Sequence, residues 1–332
     1  MKRPIVEMLE YRSSIMAFAA FWILCSHSIG AVGGRQWEYL NYFRPFIAFG
    51  WGGVDIFLFL SGLGIALSLN KRPSLSQFLS KRFNRIYPAF FIAVTIEHII
   101  YNTTVQSFWL DVSTLSYWSP LLGIQEKNTF WYVSAIFAFY LISYPYYKYC
   151  FSKWPLLSTI IISVLGLLLY QIFPPLKLFL GRIPIFFIGM YSSLFLEKEF
   201  KTIKFVLLSI FCYCLMSLIA WLYGGRILSD TGIHFIFFIF ITPGLIILLS
   251  KILFYLNNIK IGGGGIVKLC NYLGTFSLEI YLTHWIILCT INTFSWNVPW
   301  GIFIVLSFIS AYIIKSISNG WNKFTKTRVK YL

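Results

Sequence analysis

Ten predominantly apolar stretches dominate the chain, at 13–32, 46–69, 86–105, 130–150, 155–173, 179–196, 203–223, 233–250, 272–292 and 298–316. Each has roughly the 17–25 residues that a helix needs to cross the hydrocarbon core of a bilayer. In that core a lone segment satisfies all of its own N–H and C=O groups only as a helix. Ten spans of about 20 residues use on the order of 200 residues, so nearly the whole 332-residue chain is membrane domain. Composition agrees, with 58% apolar and 11% charged residues, where a soluble domain carries about 25% charged residues. The expected fold is an all-α integral membrane protein, a bundle of about ten transmembrane helices. A single membrane domain is expected over 1–332, with 319–332 as a short basic cytoplasmic tail and no fused soluble domain.

The first stretch follows Lys2 and Arg3 and runs into Ala31-Val32-Gly33, the flanks of a signal peptide. Glu7 and Glu10 interrupt the basic flank, however. The apolar run also exceeds the about 7–15 residues of a signal-peptide core. An uncleaved first span is expected.

Lys and Arg number 27 against 11 Asp and Glu, a formal net charge of +16. In a soluble chain that excess would point to nucleic acid; here the basic residues lie between apolar stretches, and no nucleic-acid partner is expected. With the N-terminus in the cytoplasm, Arg35, Arg44, Lys127, Lys177, Arg182 and Arg226 fall outside and the other 21 of the 27 inside. Cytoplasmic loops carry such an excess, so both termini are expected inside. The six cysteines lie in or at the ends of apolar stretches, and Cys212-x-Cys214 is too close for a zinc pair. No metal is expected.

Two connections are long. Residues 106–129, outside, hold Trp109, Trp118, Pro120 and Gly123 and read as an interfacial or re-entrant segment that caps a cavity. Residues 251–271, inside, hold Gly262-Gly263-Gly264-Gly265. No Lys-Ser or Lys-Thr follows, so the P-loop reading fails and a flexible linker is expected. No internal repeat is evident, which disfavours an inverted-repeat transporter.

An ionisable side chain costs about 2.5–3.5 kcal/mol at the centre of an inserted helix, so it normally faces a partner or a water-filled cavity. His27, Asp55, Glu97, His98, Glu279 and His284 fall inside stretches. At 1.5 Å per residue from the outer end, His27 lies about five residues in, Asp55, Glu97, His98 and His284 about seven to nine, and Glu279 about thirteen. Four helices thus contribute to one layer in the outer half of the membrane. A hydrogen bond between helices is the competing reading for His98 and His284. Asp55, after Gly52-Gly53, either serves that layer or caps a helix break. His234 begins a span and reads as interfacial. Glu279 needs a proton, a cation or a basic partner at its depth.

On the inner side, Lys81-Arg82-Phe83-Asn84-Arg85-Ile86-Tyr87-Pro88 enters the third span. Arg82 and Arg85, three apart, share a helix face, and paired guanidiniums suit phosphate oxygens. From charge alone a topology anchor, or a contact with anionic lipid, is the favoured account of them.

These residues fall into an ordered set of motifs. Arg12 through His27 lies in the first span, and Gly52-Gly53-Val54-Asp55-Ile56-Phe57-Leu58-Phe59-Leu60-Ser61-Gly62 in the second. Arg82-Phe83-Asn84-Arg85 with Pro88 enters the third, and Gly274-Thr275-Phe276-Ser277-Leu278-Glu279-Ile280-Tyr281-Leu282-Thr283-His284 opens the ninth. Weaker blocks stand at Trp131, Tyr140 and Pro145, and at Arg182, Phe186 and Gly189. Together they resemble the acyltransferase-3 family of integral membrane proteins, whose members move acyl groups, usually acetyl, onto surface sugars. Arg12 and His27 stand farther apart than is usual there, and Ile136 occupies a position where many members carry glutamate. The esterase-like domain fused to some members is not expected.

The resemblance implies acetyl-CoA as donor and a hydroxyl of a surface or lipid-linked glycan as acceptor. By it, Arg82 and Arg85, with Lys81 and Arg12, bind the CoA phosphates. His27 acts as general base on the hydroxyl, or accepts the acetyl group in transit. Asp55 or Glu97 orients its imidazole, and Ser61, Ser277, Glu279, Tyr281 and His284 line the cavity. The partners are then acetyl-CoA, the glycan and membrane lipids, and the location is the plasma membrane of a bacterium. Three other classes compete: a transporter or flippase for a polysaccharide precursor, a glycosyltransferase, and a non-enzymatic anchoring protein. The glycosyltransferase is disfavoured because the outer acids Glu38, Asp111, Glu126 and Asp230 stand apart.

Overall fold

Where Leu, Ile and Phe follow one another with no polar side chain to compete for the backbone, the chain closes its hydrogen bonds within itself. The computed structural model describes residues 3–28, 44–124, 129–259, 263–294, 296 and 298–329. Among them every regular element is helical. The chain opens with α1 (Pro4–Glu10), with proline at the first helical position where no N–H is needed, and α2 (Arg12–Ser28). Short α3 (Arg44–Ala48) leads through a 3-10 turn at Gly50–Gly52 into α4 (Gly53–Leu69). Next come α5 (Leu75–Tyr101), α6 (Val105–Val112), a 3-10 segment at Ser116–Leu122, and α7 (Trp131–Tyr146). They are followed by α8 (Pro155–Ile172), short α9 (Lys177–Leu180), α10 (Ile183–Ser192), α11 (Ile203–Tyr223), α12 (Gly225–Thr231) and α13 (Ile233–Asn258). The last three are α14 (Gly263–Gly274), α15 (Ser277–Thr293) and α16 (Trp300–Val329).

Among the described residues, six stretches are long and apolar enough to cross a membrane: Gly50–Leu69, Pro155–Ile172, Pro174–Phe195, Ile203–Tyr223, Ile233–Asn258 and Trp300–Trp321. Taking the bent pairs Pro4–Glu10 with Arg12–Ser28, and Gly264–Gly274 with Ser277–Thr293, as one span each makes eight. The protein is a multi-pass helical membrane protein. The two further stretches read from the sequence correspond to α5 and α7. Helix α5 has 27 residues but carries Lys81, Arg82, Arg85 and Glu97. Helix α7 has 16, continued by a π-helical turn at Tyr147–Phe151.

Local chemistry moves several expected edges. The connection expected before residue 86 is already helical from Leu75, because Ser74 and Gln77 form a capping box. The Ser74 hydroxyl accepts from the Gln77 N–H and the Gln77 side chain accepts from the Ser74 N–H, each at 3.3 Å. The stretch at 46–69 breaks before Gly53, and a Cβ on Gly52 would stand 2.1 Å from the Phe238 ring. The expected linker at Gly262–Gly265 is corrected: Gly263, Gly264 and Gly265 form the first turn of α14. First-turn N–H groups have no intrahelical partner in any case, and the apolar run from Ile266 propagates the helix. Gly262 lies outside the described residues, as do 29–32 at the end of the first stretch. Residues 319–329 continue α16.

The helices form two compact units. The first comprises Met1–Phe21, Trp51–Arg72 and Ser143–Thr275. There α10 packs against α4 and α8, and α13 against α11, α4 and α14. The second comprises Trp22–Gly50, Pro73–Ile142 and Phe276–Leu332. There α15 packs against both α5 and α16, and the Tyr101 hydroxyl of α5 donates to the Ile286 carbonyl at 3.2 Å.

Candidate active site

The last turn of α2 is held inside the second unit by its neighbours. Trp22 stacks on Phe46 and donates to its carbonyl at 2.8 Å, and Trp300 donates to the Ser28 hydroxyl at 3.0 Å. His27, between these anchors, meets His284 of α15, with Nδ1 of the first 2.8 Å from Nε2 of the second. The rings are 8° from parallel with centroids 5.1 Å apart. At that spacing the nitrogens meet edge to edge, and the bond lies in both ring planes. Trp285 closes on His27 edge-on at 5.2 Å, and His284 Nδ1 lies 3.1 Å from the Ile280 carbonyl oxygen.

Both histidines border a cavity of about 320 Å³, whose wall also includes Thr129, Trp131, Tyr281 and Cys289. That volume is at the small end of ligand pockets. Glu97 stands behind the wall, where its Oε1 accepts from the Thr129 hydroxyl at 2.9 Å. Tyr281 belongs to the wall and packs on Tyr132 at 5.0 Å. Ser277 is buried in the first turn of α15, one turn before Tyr281, and is not among the residues that form the wall. His98 donates from Nε2 to Asp111 at 2.9 Å and accepts from Thr103 at Nδ1. Both of its nitrogens are thus used in fastening α6 to α5.

Glu279 lies five residues before His284 on α15, about 7.5 Å along the axis. The basic partner that its burial demands is Lys315 of α16, at 3.2 Å. Arg85 is near enough to act on Glu279 electrostatically. Arg85 and Lys81 are exposed, whereas Arg82 is half-buried. Arg82 folds back over the Phe78 ring at 3.9 Å and donates to its carbonyl at 3.3 Å. Pro88, inside α5, removes the N–H that would bind the Asn84 carbonyl.

In the first unit, Asp55 lies in the first turn of α4 and faces Arg182 Nε at 3.5 Å, with both side chains almost wholly buried. Arg182 also lies over the Phe235 ring at 5.0 Å. Arg12 opens α2, and Ser61 sits half-buried in α4. Glu7 pairs with Lys251 at 2.6 Å. His234 packs edge-on against Trp51 and bonds the Leu228 carbonyl. Among the described residues, no three His, Cys, Asp or Glu side chains come together as a metal-binding set.

Sequence reasoning singled out His27 and His284 separately and did not pair them. It missed Thr129, Trp285 and Cys289 in the wall, and gave Lys315 no role beyond orientation. Only Lys315 left a signal, because a carboxylate as deep as Glu279 needs a proton, a cation or a basic partner.

A helical membrane protein with an imidazole pair on a cavity wall and a basic cluster on a neighbouring helix has the parts of a membrane group-transfer enzyme. A family described as an acyltransferase domain, acyltransferase-3, matches residues 16–317. The chain belongs to the acyltransferase-3 family and is a membrane acyltransferase. No curated protein and no solved structure matches it.

Proposed function

We propose that the protein transfers an acetyl group from cytoplasmic acetyl-CoA to a hydroxyl of a surface or lipid-linked glycan, in the plasma membrane of a bacterium. The observation that carries this reading is the run of α15, with His284 bonded to His27 at the cavity and Glu279 tied to Lys315 within reach of Arg85. Arg82 and Arg85, with Lys81, bind the phosphates of CoA, and the thioester extends along α15 to the cavity. His27 takes the proton of the acceptor hydroxyl as its oxygen attacks the thioester carbon. The C–S bond breaks, the C–O ester bond forms, and the proton passes to the departing sulfur. Glu97 acts on the wall through Thr129, and Asp55 fixes the start of α4 through Arg182. Ser277, Glu279, Tyr281 and His284 shape the path of the acyl chain and the acceptor.

The proposed topology has ten spans, α5 and α7 included, with both termini inside. Several polar pairs support it, because each joins residues that this topology puts at one depth. Glu7 with Lys251, Tyr147 with Asn70 and Ser14 with Asn271 fall at the inner side. Tyr101 with Thr290, and Ser28 with Trp300, fall at the outer.

The test is transfer of labelled acetyl from acetyl-CoA to isolated surface polysaccharide by the purified protein. O-acetyl signals in the NMR spectrum of the product are expected, and their loss in His27→Ala. A wild-type protein that leaves the polysaccharide unacetylated overturns the reading.

A further inference from the structure

We infer that His284 is a positioning residue that fixes the tautomer of His27, holding the proton of that ring on Nδ1 and leaving Nε2 bare for the acceptor hydroxyl. The inference rests on the reading of His27 as the base and adds the group that makes it one. It starts from the Ile280 carbonyl oxygen, which can only accept. His284 Nδ1, 3.1 Å away, therefore carries a hydrogen. A neutral imidazole has one N–H, so His284 Nε2 presents a lone pair. His27 Nδ1, at 2.8 Å and in the plane of both rings, must then be the donor, and Nε2 of His27 is left unprotonated. The backbone of α15 dictates the protonation of a side chain on α2 through one intervening ring.

Both nitrogens of His284 are occupied in this arrangement, so it has none to offer a substrate although its ring borders the cavity. When His27 Nε2 accepts the hydroxyl proton, the Nδ1–H bond to His284 becomes charge-assisted and strengthens. A carboxylate does the same work in a serine-protease triad. A neutral imidazole does it without placing a second permanent charge among apolar helices. An interhelical bond with no further role would serve with either ring as donor; the Ile280 carbonyl is what makes the direction matter.

Tautomers are read directly from nitrogen chemical shifts of protein labelled with 15N-histidine in detergent, in which only four histidines contribute. His27 is expected with a protonated Nδ1 and a bare Nε2, and a protonated Nε2 in the resting enzyme overturns the inference without reference to activity. In kinetics, His284→Ala is expected to lower kcat about 100-fold or more, with KM for acetyl-CoA changed less than about twofold. His284→Gln keeps an acceptor oxygen and is expected to recover about tenfold of that loss. Full kcat in His284→Ala, with transfer abolished in His27→Ala, overturns the inference and leaves the base assignment standing. Full kcat in His27→Ala removes the base assignment itself. Should the alanine variant fail to fold, the glutamine variant and the wild-type spectrum decide the matter.

Discussion

Asp55 and Arg182 face each other at 3.5 Å with almost no exposure, and such a pair is worth most to the fold when one half is taken away. Removing one partner from a buried ion pair strands the other, at about 3–5 kcal/mol. Arg182→Met is therefore expected to lower the thermal midpoint in detergent markedly, and Asp55→Asn combined with Arg182→Met to recover a large part of it. A double variant no better than the single one would show that Arg182 acts through its other contacts. Arg85 makes the opposite case. It is exposed, and its value lies in the phosphate it is proposed to hold. Charge-assisted hydrogen bonds contribute about 1.5–3 kcal/mol, so Arg85→Ala is expected to raise KM for acetyl-CoA by roughly 10- to 100-fold, with kcat changed far less, in a steady-state titration of the donor. Single residues were the most legible scale for one half of each pair. The cost of burying a charge marks out Asp55, Glu279 and His27 wherever the fold puts them. Their partners stand elsewhere in the chain: Arg182 127 residues from Asp55, and His284 257 residues from His27. No local pattern carries that information.

Helices declare themselves by length and apolarity, and Pro155–Ile172 and Ile203–Tyr223 lie within a residue of the stretches read at 155–173 and 203–223. Where polar chemistry starts a helix the signal is subtler. Ser74 and Gln77 are unremarkable among surrounding polar residues, yet their reciprocal bonds carry Lys81, Arg82 and Arg85 on a helix that begins at Leu75. Loss of such a cap costs about 1 kcal/mol. Close packing is quieter still. A Cβ on Gly62 would stand 2.0 Å from the Phe186 carbonyl oxygen, and one on Gly189 2.2 Å from that of Phe59. Each glycine lets a backbone of one helix touch the backbone of the other, the means by which membrane helices approach without a hydrophobic drive between them. Both glycines fall in the family motifs, so the positions were visible and the reason was not. Gly62→Val and Gly189→Val are each expected to prevent α4 and α10 from closing, because a carbonyl cannot yield as a flexible side chain can. Size-exclusion profiles of detergent extracts would show aggregate in place of a single peak. A monodisperse, heat-stable Gly189→Val protein would mean that the two helices can part without loss.

At the scale of the whole molecule, charge assigns the inner side of the membrane, and contact shows independently which connections share a side. The count of basic residues divides the connections into an inner set and an outer set on the assumption of ten spans. The polar contacts use no charge rule, and yet Glu7–Lys251, Tyr147–Asn70 and Ser14–Asn271 lie within the inner set. A topology with α5 and α7 omitted keeps both termini on one side, because two spans are lost together, but it moves the connection that holds residues 113–124. With ten spans that connection is outside and residue 72 is inside; without α5 and α7 the whole of 70–154 lies on one side. Cysteines placed singly at Arg72, Gly123 and Lys153, in a chain whose six native cysteines are replaced, separate the alternatives with a membrane-impermeant thiol reagent applied to intact cells. Only the cysteine at position 123 is expected to react before the membrane is opened, and those at 72 and 153 only afterwards. Equal behaviour of all three would return α5 and α7 to a single side of the membrane. It would also remove the physical reason for placing Arg82 and Arg85 opposite the compartment in which the acceptor is met.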